Sequence, residues 1–217
     1  MDDVAFRTER LTVRPWTHDD VEDLYDIYRR WEVSRWLGAT PKVAESVESM
    51  RATVDRWAAR CEGPYGIWGV VPDGRRAPVG TVLLVPLQDG SSQTLPEVEV
   101  GWHLHPDAWG HGYATESARG ALDRGWAAGL DEVFAVVVPG NDRSVAVTRR
   151  LGMQPVGRTD RYYGIELDAF RVAPPGTPPG TARAGRPDRL LTRAGATSSS
   201  TAARSGAAAL RNRPASP

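Results

Sequence analysis

Gly110-His-Gly112-Tyr-Ala114 holds two glycines and an alanine within five residues, between a β-like segment and a helix-like one. Glycine lets backbone approach a ligand closely, and the free N–H groups and dipole of a helix start favour an anion. The chemistry this suggests is a phosphate or diphosphate cradle, although a glycine pair before a helix is also how a tight turn is made. Glu97 and Glu99 precede it and share one strand face by period-2 alternation. Glu99 stands nearer the loop and is the candidate general base for removing a proton from a nucleophile, against a salt-bridge or solvated-face role for either carboxylate. Further on, Asn141 and Ser144 open a short helical pattern, where Ser144 offers a hydroxyl proton or a helix cap. His103, His105 and His111 crowd within nine residues, but no further Cys or ligand completes a tetrahedron, so no metal site is expected.

These groups need elements to position them. Residues 9–15 alternate as a strand, and Thr17 caps a helix with Val21, Leu24, Tyr25 and Tyr28 on one face. Thr40-Pro41 predicts the start of a second helix, with Val43, Val47, Met50, Val54 and Trp57 buried. Segments 65–71 and 78–87 flank Pro72-Asp73-Gly74 as a hairpin. Strand 97–104 leads through the glycine loop into a helix over 115–128, closed by Gly129. Segment 132–138 is apolar enough for a central parallel strand, followed by a helix over 142–151 and strands 153–158 and 165–172. The expected fold is α+β, a mixed, mostly antiparallel sheet of about seven strands flanked by four helices.

Composition bounds the rest. Of 217 residues, 41% are hydrophobic and 25% charged, enough for a core in one domain. No apolar run spans a membrane, the Met1-Asp2-Asp3 start lacks a secretory h-region, and the lone Cys61 forms no internal disulfide, so a cytoplasmic location is expected. The formal net charge of zero divides unevenly: residues 173–217 carry seven Arg against one Asp, leaving residues 1–172 with a balance of −6. The segment 173–217 is dominated by Ala, Pro, Gly, Ser and Thr and is expected to be a disordered basic tail. Nucleic-acid contact is expected, if anywhere, only there. An acidic body favours cationic partners.

Two anion-site families do not fit the glycine loop. No Gly-Lys-Ser/Thr follows for a P-loop, and Thr115 stands where a dinucleotide fingerprint wants its third glycine. Trp109-Gly-His-Gly112-Tyr-Ala114 instead resembles the diphosphate loop of the GNAT family of N-acetyltransferases, Gln/Arg-x-x-Gly-x-Gly/Ala, with Trp109 departing from Gln/Arg. The longer Trp-Gly-x-Gly-Tyr-Ala-Thr-Glu string, Thr8-Glu-Arg-Leu-Thr-Val-Arg-Pro15, and Asn141-x-x-Ser144 with Leu151-Gly-Met153 resemble the RimJ/RimL-like branch related to ribosomal-protein N-terminal acetyltransferases. The resemblance covers roughly residues 7–172.

It implies acetyl-CoA in a splay between strands 97–104 and 132–138. Backbone of Trp102, His103 and Leu104 would pair with the pantetheine arm. The loop Trp109, Gly110, His111, Gly112, Tyr113, Ala114 and Thr115 would hold the diphosphate, and Asn141 and Ser144 would flank the cofactor. Glu99 would act as base and Ser144 as proton donor to the departing thiolate. Thr148 stands where many members place a Tyr, and Val156 where some of this branch place a Glu. Trp31, Trp36, Tyr162 and Tyr163 are the acceptor-binding candidates. The implied reaction is acetyl transfer to a primary amine, first a protein or peptide N-terminus. Small amines such as an aminoglycoside or polyamine are alternatives, as is a non-catalytic acyl-CoA-binding domain whose tail docks on nucleic acid. A homodimer is also open.

Overall fold

A computed structural model describes residues 4–177. The disordered-tail expectation falls on residues almost wholly outside that range. The chain runs β1 (Phe6–Arg7), β2 (Leu11–Pro15), α1 (Val21–Tyr28), a single helical turn α2 (Trp31–Ser34), α3 (Val47–Ala58), β3 (Gly66–Pro72), β4 (Gly80–Gln88) and β5 (Thr94–Leu104). It continues through α4 (Tyr113–Ala127), β6 (Val133–Val137), α5 (Asp142–Arg150), β7 (Gln154–Thr159) and β8 (Leu167–Val172). Eight strands form one sheet in the order β1-β2-β3-β4-β5-β6-β8-β7, one more than the sequence pattern reveals, because β1 is only two residues long.

Alternation places the core. Leu11 and Val13 of β2, Val82 and Leu84 of β4 and Val98 and Val100 of β5 turn toward Ala118, Ala121 and Leu122 of α4. Small residues let α4 lie close, as at Gly120, where a β-carbon would fall 2.5 Å from the Phe6 ring. A second cluster joins Val21, Leu24 and Ile27 of α1 to Met50 and Val54 of α3. Each apolar stripe thus has a partner surface, and burying such side chains stabilises by ~1.5–3 kcal/mol each. β3 is buried along its whole length, which explains its continuous apolar run.

The second long helix does not start at Thr40-Pro41. Ser46 is its cap, with its hydroxyl accepting from Ser49 N–H at 3.2 Å. The residues before it run against α1 instead, since Ala44 N–H donates to Tyr28 O at 2.9 Å. Val43 is accordingly exposed rather than buried. Thr17 does cap, through reciprocal bonds with Asp20, but the first turn is 3-10 and the α-helix begins at Val21.

Every neighbouring strand pair is antiparallel except β5 with β6. That parallel pair meets in register only at Glu99↔Phe134, while β5 stays paired to β4 as far as Gly80↔Leu104. Beyond Glu99 the two central strands therefore part. The opening lies where the sheet's strand direction changes, and its far end is the glycine loop.

Candidate active site

Three structures meet at the parting of β5 and β6: the start of α4, the face of β5 that carries Glu99, and the first turn of α5. At α4, Gly112 is the N-cap residue with φ +83°, and Gly110 has φ +81°. Both are left-handed, which only glycine adopts without strain. No side chain caps this helix. Helix geometry leaves the N–H groups of Tyr113, Ala114 and Thr115 without intrahelical partners, and the dipole adds positive potential there. The flanking side chains are fixed. Trp109 Nε1 donates to Leu104 O at 2.9 Å, and His111 stacks on Tyr113 at 5.5 Å. Glu116 anchors the cradle from below, accepting from Thr8 Oγ1 at 2.6 Å, Arg10 N at 2.9 Å and the Arg10 guanidinium at 2.6 and 2.8 Å. Desolvation opposes its ionisation, but these bonds outweigh that and hold its carboxyl below the usual range. The Thr8-Glu-Arg10 string is thereby tied to the helix it precedes by more than a hundred residues.

Trp102 and Leu104 turn toward α4, whereas His103 turns to the other face. There its Nδ1 lies 2.8 Å from Tyr28 Oη, which is 3.1 Å from Thr81 Oγ1. Desolvation pushes the His103 pKa down to about 4, so the ring is neutral at pH 7. His105 bonds Asp26 at 3.1 Å, and among the described residues no three potential ligands gather for a metal.

Glu97 and Glu99 share the His103 face but have different partners. Loop 160–166, between β7 and β8, lays Arg161 on Glu97 as an ion pair and Tyr163 on Glu99, whose carboxylate accepts a hydrogen bond from the phenol. Desolvation raises the Glu99 pKa to about 7, restrained by the Tyr163 hydrogen bond and the charge of Arg60. The same environment pushes the Tyr163 phenol well above its ordinary value, so it stays a donor. Tyr163 adopts φ +57°, uncommon for a bulky residue, while its N–H donates to Gln88 O at 2.9 Å. Beside it Gly164 packs on Gly90, where a β-carbon would come within 3.0 Å. Between Glu99 and His103 this face carries only Gly101, over which the Leu83 side chain packs, 3.1 Å from where a β-carbon would sit. A carboxyl titrating near neutrality and held by a neutral donor can accept a proton from an ammonium.

At α5 the cap is Asn141, whose Oδ1 accepts from Ser144 N–H at 3.3 Å, so the capping role belongs to Asn141 and not to Ser144. Among the described residues the Ser144 hydroxyl has no hydrogen-bond partner. Thr148, by contrast, is fully buried and donates to Val145 O. Val156 lies exposed on the edge strand β7. Of the aromatic acceptor candidates, Tyr163 reaches Glu99. Tyr162 is buried beside Leu87, Leu167 and Ala169, a core position rather than a surface one. Trp31 is exposed on α2 and Trp36 carries the Arg35 guanidinium at 4.3 Å, and neither shares a hydrogen bond or ring contact with the residues around Glu99.

A splayed parallel pair in an otherwise antiparallel sheet, with a glycine-started helix at its opening, defines an acyltransferase type of fold. The chain belongs to the GNAT family: the model of the acetyltransferase (GNAT) domain matches residues 10–154. The uncharacterized N-acetyltransferase YoaA of Bacillus subtilis (strain 168) is 28% identical over 157 residues, 71% of this chain and 85% of that protein. Among solved structures, Mycobacterium smegmatis RimJ in complex with CoA-disulfide superposes with TM-score 0.63 at 20% identity, covering 76% of this chain and 82% of that one. RimL, a ribosomal alpha-N-protein acetyltransferase in complex with coenzyme A, gives TM-score 0.64 at 14% identity, covering 79% of this chain and 98% of its own. The protein is therefore a GNAT acetyltransferase, and none of its helices among the described residues is long and apolar enough to cross a membrane.

Proposed function

We propose that the protein transfers an acetyl group from acetyl-CoA to a primary amine, with a protein or peptide N-terminus as the acceptor. The observation that carries this is the opening of β5 from β6 beyond Glu99, flanked by uncapped amides on one side and by the Glu99–Tyr163 pair on the other. The residues fit the cofactor: backbone of Trp102, His103 and Leu104 on the edge away from β4 is available to a pantetheine arm, as to an added strand. Amides of Tyr113, Ala114 and Thr115 suit a diphosphate. Asn141 and Ser144 stand at the start of α5 beside the cleft.

Acetyl-CoA supplies a thioester carbonyl for nucleophilic attack. Glu99, able to take up a proton near neutrality, takes the proton from the incoming ammonium, while Tyr163 holds the carboxylate in place. The amine nitrogen then bonds to the acetyl carbon as the carbon–sulfur bond breaks. The second nitrogen proton passes to the Ser144 hydroxyl, which is unengaged by the protein, as that hydroxyl gives its own proton to the departing sulfur. RimL, an alpha-N-protein acetyltransferase similar in fold, supports a peptide N-terminus as acceptor, and the acidic balance of residues 1–172 favours a cationic one.

The test is thermal-shift titration of the full chain with acetyl-CoA, followed by amine-dependent thiol release on peptide N-termini and small amines. Ligand at 100 times its dissociation constant stabilises by ~2.7 kcal/mol, or ~5–10 °C at this size. No shift at millimolar ligand in folded protein rejects the cofactor. Binding with turnover of small amines alone rejects the peptide acceptor.

A further inference from the structure

The loop entering α4 and the first turn of α5 lie on opposite sides of the β5–β6 cleft, and one contact bridges them. The Arg143 guanidinium carbon sits 4.2 Å from the centroid of the Trp109 indole. Trp109 is a fixed platform, bonded through Nε1 to Leu104 O and packed with Leu104, Ala108 and Tyr113. Arg143 is not fixed in this way. It is exposed, and among the described residues no carboxylate pairs with it. A cation–π contact at an exposed site is worth only ~0.5–1 kcal/mol, less than a charge-assisted bond to phosphate.

The position of Trp109 also matters. It stands at the motif position where the family pattern has Gln or Arg, so its side chain brings no charge to the cradle. On the other side, the Arg10 guanidinium lies 3.4 Å from where a β-carbon on Gly112 would sit, but both its contacts to Glu116 already commit it. Arg143 is thus an uncommitted cation, held by an aromatic ring at the mouth of an uncapped helix start.

We infer that Arg143 is a diphosphate-binding residue of the cofactor site, supplied from α5 across the cleft and parked on Trp109, in place of the polar side chain that the loop lacks at position 109. This rests on the reading that coenzyme A fills the cleft. When the cofactor enters, Arg143 leaves the indole face for the diphosphate oxygens and closes the cleft over the pantetheine arm.

The experiment is isothermal titration of the full chain and its Arg143→Ala, Arg143→Lys and Arg158→Ala variants with coenzyme A, 3′-dephospho-coenzyme A and pantetheine. Arg158 is an exposed cation paired with Glu166 and Asp168, and it controls for general charge loss. Arg143→Ala should weaken coenzyme A and dephospho-coenzyme A alike by ~10–100-fold, leave pantetheine unaffected and keep the melting temperature of the free protein. Arg143→Lys should recover part of the loss, and Arg158→Ala should lose nothing. In turnover the effect should fall on the KM for acetyl-CoA and not on that for the amine. Loss with coenzyme A but not with its dephospho form would assign Arg143 to the 3′-phosphate and overturn the proposal. So would equal loss with pantetheine, which means a structural role, or no loss at all. Absence of coenzyme A binding by the unaltered chain is a different result, which removes the cofactor reading itself.

Discussion

The two sides of β5 build binding surfaces from different material. Toward α4 the cradle is backbone: two left-handed glycines and three amides, with side chains serving as braces. Toward α1 and loop 160–166 the surface is side chain: Glu99 with Tyr163, Glu97 with Arg161, and His103 with Tyr28. Backbone amides have fixed geometry and no pKa, so they suit a ligand whose anion never varies. Side chains can be tuned, and the two carboxylates show how. Glu97 takes an arginine partner as an ion pair, whereas a phenol partner and desolvation leave Glu99 able to gain and lose a proton near neutrality.

The contrast breaks most visibly at Gly112. Gly112→Trp adds a side chain at φ +83° in the cradle, against Arg10, and should abolish the acetyl-CoA thermal shift while the protein stays folded. Glu99→Gln tests the other side. It keeps the shape and should leave acetyl-CoA affinity intact while lowering turnover by ~100-fold or more, read by thiol release at saturating cofactor. Unchanged turnover would return the amine to the protonation state that solvent gives it. Tyr163→Phe sharpens the same side. Its hydrogen bond lowers the Glu99 pKa, so losing it should raise that pKa further and move the acid limb of the kcat/KM profile to higher pH. Below neutrality the rate should fall by ~3–10-fold, with the plateau at alkaline pH recovered.

The same division explains what the sequence revealed. Gly110 and Gly112 were legible because a left-handed backbone demands glycine, and the demand is local in the chain. β5, α4 and β6 were legible from their apolar periods. Glu99 was legible as one of two carboxylates on a face, but the choice between them depends on Arg161 and Tyr163, which arrive from a loop more than sixty residues later. The Glu116 bonds to Thr8 and Arg10 were hidden for the same reason: Glu116 in a first helical turn reads as dipole compensation, and only folding brings the N-terminal strand to it. Tyr162 and Tyr163 are adjacent and chemically alike. The positive φ at Tyr163 turns one ring to Glu99 and leaves the other in the core, and no residue type announces that. Thr40-Pro41 carries a valid helix-start signal, yet the bond from Ala44 N–H to Tyr28 O keeps that stretch out of the helix, which starts only after Ser46.

The smallest effect is one of stability, and it arises because Glu99 and His103, two half-buried titratable groups on one face, pull in opposite directions. Native Glu99 keeps its proton up to about 7, while an unfolded carboxyl releases it near 4.5. Across that window the folded state binds more protons, so this group's contribution is full below 4.5 and is lost as pH rises toward 7. Native His103 stays neutral down to about 4, while the unfolded imidazole takes a proton near 6.5. Its contribution is full above 6.5 and is lost as pH falls through the native value. Between about 4.5 and 6.5 the two slopes oppose and largely cancel. Glu99→Gln removes one of them. Relative to the unaltered chain, it should match in stability at acid pH and become more stable by ~1–2 kcal/mol at neutral pH, after discount for the site's partial access to water. Denaturant midpoints measured across this range would show it. A constant offset at every pH would mean that Glu99 titrates as an ordinary carboxylate, and the tuned side of β5 would then be no more tuned than the cradle.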